Sequence, residues 1–320
     1  MTNTRVLNHY RFGKKFAWLN RTIRSRRKSI KKIIAIYENL RMVEDGCSLC
    51  KEDNFSLLAE GDRYGFNLKK QICNRCGLVQ TYPKLGPEFH NEFYSFHYRP
   101  LYLKSKDVDY HQVINEQVKK GKLYLDLLQR NGLSKELTKI SVIEIGCSSG
   151  GTINTLKPHV QSVQGCDLDI NAIEFAKSNY GLNVEVAAMP STFPDGKKLF
   201  IISHALEHVF DPLTTLQNIR EISNKGDYLF IAVPGLNKVA QGDYKNDLRR
   251  YFHIAHVTDF TASTLEAMTQ SAGFKMINID EDIHGLFVAD EKKQWVKNEN
   301  DSIDNIRRIE SSYKGSFPHL

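Results

Sequence analysis

Four cysteines stand in two close pairs, Cys47-x-x-Cys50 and Cys73-x-x-Cys76, with 22 residues between the pairs. Two thiolates three residues apart can reach one ion from one turn. Two such turns complete the four-sulfur tetrahedron of a structural Zn2+ site. The spacer slightly exceeds the common roughly 15–20 residues, but four unrelated buried cysteines would not share the doubled spacing. A second set of residues is built on glycine and one acid. Val142-Ile-Glu-Ile-Gly-Cys-Ser-Ser-Gly-Gly151 reads as a buried strand, a glycine-rich turn and a helix start. Glycine lets the chain bend sharply and approach a ligand, and the helix N-terminus offers N–H groups. One strand later comes Asp167, where a carboxylate can accept hydrogen bonds from both ribose hydroxyls. Together these residues point to a nucleoside-containing cofactor. The third set is histidine: His204 and His208 in one short run, and His256 in a second. A histidine suits general-base work near neutral pH. The chain has no G-x-S-x-G elbow, no P-loop lysine and no H-E-x-x-H helix; Glu207 is misplaced for the last of these.

These residues must be positioned by regular elements. From residue 139 onward, short β-branched runs alternate with helical stretches. The pattern predicts strands at Ile140–Ile145, Val160–Gly165, Asn183–Val186, Leu199–Ser203, Tyr228–Val233, Lys275–Ile279 and Ile283–Val288. Helices are expected near 151–157, 170–179, 212–223 and 262–272, and another from about Tyr110 to Gln129. Asp211 followed by Pro212 reads as an N-cap with proline in the first turn. Strands alternating with helices predict an α/β fold with a mostly parallel sheet covered on both faces. Ahead of it lie a Cys- and Gly-rich stretch and an aromatic cluster of Phe89, Phe93, Tyr94, Phe96, Tyr98 and Tyr102.

Composition is that of an ordinary globular chain, with 320 residues, 41% apolar and 25% charged. This excludes a disordered or fibrous protein. No apolar run is long enough to span a membrane, and no signal-peptide core interrupts the basic N-terminal residues. A cytoplasmic location is the expectation. The net charge of +7 is concentrated: residues 1–45 hold 12 Lys or Arg against 3 acids, and the rest holds 32 against 34. Within that arm Phe16, Leu19, Ile23, Ile30, Ile33, Ile34, Tyr37 and Leu40 fall on one helical face. Such a basic amphipathic helix either packs on the body or a second subunit, or lies on an anionic membrane surface.

The stretches VIEIGCSSGGT, GCDLD, SHALEHVFDP and YLFIAVPG resemble class I S-adenosylmethionine-dependent methyltransferases over about residues 139–290. The resemblance implies a Rossmann-like sheet of seven strands. It implies that Glu144, Gly146, Cys147 and Gly150 belong to the cofactor pocket, although Cys147 and Cys166 also read as packing residues. Asp167 would hold the ribose, Ala187–Met189, with Ala188 and Met189 among them, would lie near the adenine, and His204 would form pocket wall. Ser148 stands where many members have a glycine, and the small serine is expected to keep the turn with φ below zero. A dinucleotide oxidoreductase would instead want G-x-G-x-x-G spacing.

The run CGLVQ after the second cysteine pair, and AHVTDFT with the Ser263-Thr-Leu-Glu that follows, resemble bacterial sugar methyltransferases with an N-terminal zinc module. Some relatives have a glutamate at the position of Ala255, which removes one carboxylate base. Their large C-terminal domain is expected to be missing, which favours O-methylation over C-methylation.

The expected organisation is a basic arm at 1–45, a zinc module at 46–82, a connecting segment at 83–135, a methyltransferase domain at 136–290 and a charged tail at 291–320. The expected reaction is methyl transfer from S-adenosylmethionine to a hydroxyl of a sugar or glycan, lipid- or nucleotide-linked, in surface polysaccharide synthesis. His256 is the first candidate base and His208 the second, against structural roles at helix starts. Structural Zn2+ would sit on Cys47, Cys50, Cys73 and Cys76. The arm would dock at the inner membrane face. Two other readings stand beside this one: an RNA methyltransferase gripping phosphates with arm and zinc module, disfavoured because the module has few aromatics, and a non-catalytic interaction protein.

Overall fold

The computed structural model describes residues 27–37, 41–64, 66, 68–98, 101, 108–280, 282–291, 306–309 and 311. Residues 1–26 and 38–40 of the basic arm, and most of the charged tail, lie outside the described residues. The expected membrane docking of the arm falls largely on them. Among the described residues no helix is long and apolar enough to cross a membrane.

Among the described residues the strands, in chain order, are β1 (Met42–Val43), β2 (Phe55–Ala59), β3 (Lys70–Cys73), β4 (Val79–Thr81), β5 (Lys84–Leu85), β6 (Ile140–Ile145), β7 (Ser162–Asp167), β8 (Val184–Val186), β9 (Lys197–Ser203), β10 (Tyr228–Ala232), β11 (Thr258–Asp259), β12 (Phe274–Ile279) and β13 (His284–Ala289). The helices that matter below are α1 (Arg27–Tyr37), α2 (Pro87–Glu92), α3 (Tyr110–Leu128), α4 (Gly151–Leu156), α5 (Ile170–Tyr180), α6 (Pro212–Ile222) and α7 (Ala262–Ala272).

The large sheet has the order β12-β13-β10-β9-β6-β7-β8. Its seven strands are the seven expected from the sequence, with ends shifted by no more than two residues. β8, β7, β6, β9 and β10 run parallel, and β13 is antiparallel to both its neighbours. Every residue of β6 is buried, as its continuous apolar run requires of a central parallel strand. Strand order reverses between β6 and β9, and the crevice at such a switch point is where open α/β sheets bind ligands. The helices start where the sequence places caps. Asp169 Oδ1 accepts from Ala172 N at 3.0 Å at the start of α5, and Asp211 Oδ1 accepts from Thr214 N at 3.1 Å ahead of Pro212. Thr261 and Thr264 form a capping box at α7. Each bond satisfies an amide that the helix itself leaves open.

A second sheet, β11-β4-β3-β2, is antiparallel and carries the second cysteine pair at the end of β3. Its edge strand β11 comes from beyond β10, so two distant parts of the chain are woven into one sheet. Cys47, Leu49, Cys73, Cys76 and Leu78 share a core with Leu206 after β9, Leu213 of α6 and Phe260 after β11. In α1, Ile30 and Ile33 are buried in a cluster with Leu85, Phe89 and Phe93. That part of the amphipathic stripe packs on the body.

Candidate functional site

The ends of β6 to β10 open into one cavity of about 790 Å³. At one end the wall is made of Gly146, Ser148, Asp167, Ala187 and Ala188. After β6 the chain turns back on β7: Gly146 N and Cys147 N both donate to Cys166 O, at 2.8 and 2.9 Å. Gly146 and Gly150 have φ of +76°. An added Cβ would lie 2.8 Å from Ala205 Cβ at Gly146 and 2.5 Å from Leu182 Cδ1 at Gly150, so neither position has room for a side chain. Ser148 has φ of +47°. This corrects the expectation of a negative φ: Ser148 takes the left-handed conformation in place of a glycine. Its amide then points at β7 and donates to Asp167 Oδ2 at 2.8 Å, while Asp169 N donates to Oδ1 at 2.8 Å. Asp167 is thus fixed by two backbone amides. Helix α3 pins the same turn from above, with Gln117 Nε2 donating to Cys147 O at 3.0 Å and Gly151 N donating to Gln117 Oε1 at 3.2 Å.

The other end of the cavity is a histidine cluster. β9 leads into His204, whose φ is +51°, and then into a short helical turn at Leu206–His208. Glu207 is only 2% exposed. Its Oε1 lies 3.6 Å from His204 Nδ1 and 3.7 Å from His208 Nε2, and its Oε2 has no hydrogen-bond partner. Burial pushes the Glu207 carboxyl up, but the surrounding imidazoles, His208 foremost, more than offset this and hold it at about 2. Burial pushes His208 down to about 4, so near neutral pH the carboxylate is charged and that ring is not. His208 Nδ1 donates to Ala255 O at 2.8 Å, because a carbonyl can only accept. His256 Nδ1 donates to Asp259 Oδ1 at 3.3 Å, and the rings of His208 and His256 lie with centroids 5.1 Å apart. Tyr94 and Tyr98 pack edge-on against His208.

The second sheet holds this cluster in place. Lys70 Nζ, from β3, donates to Asp259 Oδ2 at 2.7 Å and to His256 O at 2.6 Å. Both side chains of this ion pair are 0% exposed. Thr81 Oγ1 also donates to His256 O, at 3.1 Å, and Val257 N donates to Glu207 O at 2.8 Å. At the far end of the sheet the four cysteines meet. Cys47 Sγ lies 3.4 Å from Cys76 Sγ, and Cys50 Sγ lies 3.5 Å from Cys73 Sγ. All four sulfurs lie within 4.8 Å of one another. The two turns are alike: Lys51 N donates to Cys47 O and Gly77 N to Cys73 O, each at 2.9 Å, and both residues have positive φ.

The structure therefore brings Gly146, Asp167, Ala188, His204, His208 and His256 to one cavity. It does not bring Glu144, Cys147, Gly150 or Met189 to the wall. Glu144 is buried within β6, and Cys147 is buried behind the turn. Gly150 is buried against Leu182. Met189 packs on the core below. Gln117, Lys70 and Asp259 were not singled out from the sequence, and Glu207 was noted only as misplaced for a protease. Gln117 lies seven residues after Tyr110 and seven before Tyr124 on α3, a helical spacing that marks one face. Nothing local announces the Lys70–Asp259 pair, whose members are 189 residues apart.

Comparisons with known proteins bear on the fold. No curated protein matches the chain. Among solved structures, it is similar to an S-adenosylmethionine-dependent methyltransferase from Clostridium acetobutylicum, at 12% identity over 63% of this chain and 99% of that one, with a TM-score of 0.42. It is similar to DesVI of Streptomyces venezuelae, at 12% identity over 58% and 99%, with a TM-score of 0.43. A methyltransferase from Aquifex aeolicus aligns at 16% identity over 57% and 98%, with a TM-score of 0.40. The family model described as a methyltransferase domain matches residues 114–279. This is more than half of the chain, and it takes in most of α3, the glycine turn, β6 to β10 and β12, so the chain belongs to the methyltransferase-domain family.

Proposed function

We propose that the protein moves a methyl group from S-adenosylmethionine to a hydroxyl of a sugar or glycan. One observation carries this reading: a single cavity joins the Asp167 end to the histidine cluster. The residues at the first end fit the cofactor. Asp167, oriented by two amides, would hold the ribose hydroxyls. Ala187 and Ala188 leave a small apolar surface for the adenine, and the glycine turn lets the backbone approach. When bound, S-adenosylmethionine supplies an electrophilic methyl group on a sulfonium.

The chain's own residues do the rest. Tyr94, Tyr98, His90 and Phe210 line the acceptor side, and aromatic surfaces of this kind pack on the apolar faces of sugar rings. They set the acceptor oxygen facing the cofactor end, which is where catalysis by positioning is gained. The acceptor proton leaves toward the histidine end. His256 is the first candidate to take it, because its Nδ1–H is committed to Asp259 and its Nε2 is turned away from that bond; His208, oriented by Ala255 O, is the second. Cys47, Cys50, Cys73 and Cys76 fit Zn2+: a tetrahedron with Zn–S of about 2.3 Å has edges of roughly 3.8 Å, close to the sulfur spacings found. That ion would brace the sheet that carries Lys70.

The test is calorimetric binding of S-adenosylmethionine to the purified protein. Wild type is expected to bind, and Asp167→Ala to bind at least roughly tenfold more weakly, since hydrogen bonds to a charged group contribute about 1.5–3 kcal/mol each. Wild-type protein that binds no cofactor would overturn the reading.

A further inference from the structure

Glu207 is not explained by taking a proton from an acceptor. It is a buried carboxylate with one oxygen lacking any hydrogen bond and the other at 3.6 and 3.7 Å from two imidazoles, too far for hydrogen bonds. Among the described residues its ion pairs are with histidines alone. A buried charge is normally paired or bound to a metal. The surroundings offer the second choice. One ligand atom each from Glu207, His208 and His256 lie within 4.8 Å of one another. Both rings donate their other nitrogen outward, His208 Nδ1–H to a backbone carbonyl and His256 Nδ1–H to a carboxylate. Metal-bound histidines almost always make this outer hydrogen bond, because it fixes the tautomer and aims the remaining lone pair. Here the outer partner Asp259 is itself locked by the buried Lys70.

We propose that Glu207, His208 and His256 form a divalent-cation site whose open positions face the cavity. One carboxylate and two imidazoles on one side of an ion leave the other side for exchangeable oxygen ligands. The site rests on the reading that the acceptor docks at this end, and it narrows the acceptor class to molecules with two adjacent oxygens, such as the vicinal diol of a sugar. An ion held there lowers the pKa of a coordinated hydroxyl, and the released proton passes to solvent water. With the ion bound, His256 acts as a ligand rather than as the proton acceptor. The cation site is chemically distinct from the four cysteines: nitrogen and oxygen donors suit Mn2+ or Co2+, whereas the thiolates keep Zn2+.

The experiment uses the full chain with its cysteine-bound metal left in place. Loosely held ions are removed by dialysis against a weak chelator, and MnCl2 is titrated in while the electron paramagnetic resonance signal of free Mn2+ is followed. One Mn2+ per chain is expected to bind. Glu207→Gln and His256→Asn, each verified to be folded by circular dichroism, are expected to lose at least roughly tenfold in affinity. In wild type, Co2+ is expected to give d–d bands without the sulfur-to-cobalt charge transfer of a cysteine site, which tests the ligand set even where a variant fails to fold. No Mn2+ binding by wild type, undiminished binding in both variants, or a thiolate spectrum would overturn the proposal. Cofactor binding is measured on the same samples: cofactor bound without Mn2+ removes the cation site and leaves the methyltransferase reading, and Mn2+ bound without cofactor does the reverse.

Discussion

The two ends of the cavity are built on opposite plans. The Asp167 end is made of backbone: strand ends, a glycine turn and amides that already satisfy the single carboxylate. Its parts lie within about one βαβ unit, and α3 presses on it from outside. The histidine end is made of side chains drawn from β9's exit and the loop before β11, and it is braced by a residue from the cysteine-bearing sheet. Its carboxylate is left with an oxygen unpaired. The difference teaches where each end is vulnerable. The first depends on backbone shape and should survive damage elsewhere. The second is only as rigid as the sheet behind it, whose strand β3 carries both Lys70 and Cys73.

The strongest way to break this comparison is to remove the cysteine site. If the four cysteines hold Zn2+ as proposed, Cys73→Ser is expected to lose the ion and to lower the melting temperature more than either Lys70→Met or Glu144→Gln does. Structural zinc binding contributes about 10–16 kcal/mol in small zinc-finger peptides, against about 1 kcal/mol for an ordinary point change. Acceptor methylation should be lost while cofactor binding persists; a metal-free protein of unchanged stability would show that the second sheet does not brace the site. Next comes Lys70→Met, which takes the cation away from the buried Asp259 carboxylate and leaves it only the His256 contact. Unfolding by urea should show a loss of about 3–5 kcal/mol, partly recovered in Lys70→Met/Asp259→Leu. A loss below about 1 kcal/mol, as for surface pairs, would show that the pair does not hold the histidine end.

At the first end the lever is pH. Burial, with Asp167 adding to it, raises Glu144 from 4.5 to about 8. The folded protein therefore keeps a proton that the unfolded chain gives up. Its stability is full below the ordinary value and declines as pH rises toward 8, by up to about 1.4 kcal/mol per pH unit. Thermal unfolding across that range should show the decline in wild type and a flatter profile in Glu144→Gln. Identical slopes would mean that Glu144 is ionised in the folded state.

How much of this was legible in the sequence follows from the same contrast. The glycine turn, Asp167, the helix caps and the doubled cysteine spacing are local patterns, and periodicity placed all seven strands of the main sheet within two residues. The sign of φ at Ser148 was not legible, because a serine in the left-handed region leaves no mark in composition; the two amides on Asp167 explain it only once the fold is seen. Lys70, Asp259 and Glu207 were missed for a different reason. Each is an ordinary charged residue in sequence, and only the joining of β3, β4 and β11 into one sheet makes the first two a buried pair beside His256. The expected pocket residues Glu144, Cys147, Gly150 and Met189 lie behind the wall because they shape the turn and core from inside.

The most direct measurement is transfer of label from methyl-labelled S-adenosylmethionine into a fractionated cell extract, with Asp167→Ala as the blank. The fractions are glycolipid and polysaccharide, nucleotide sugar, RNA and protein. Label in a carbohydrate fraction with wild type, and none with Asp167→Ala, is the expected result. Label in RNA or protein alone would contradict the sugar acceptor, and label that persists with Asp167→Ala would contradict the cofactor end.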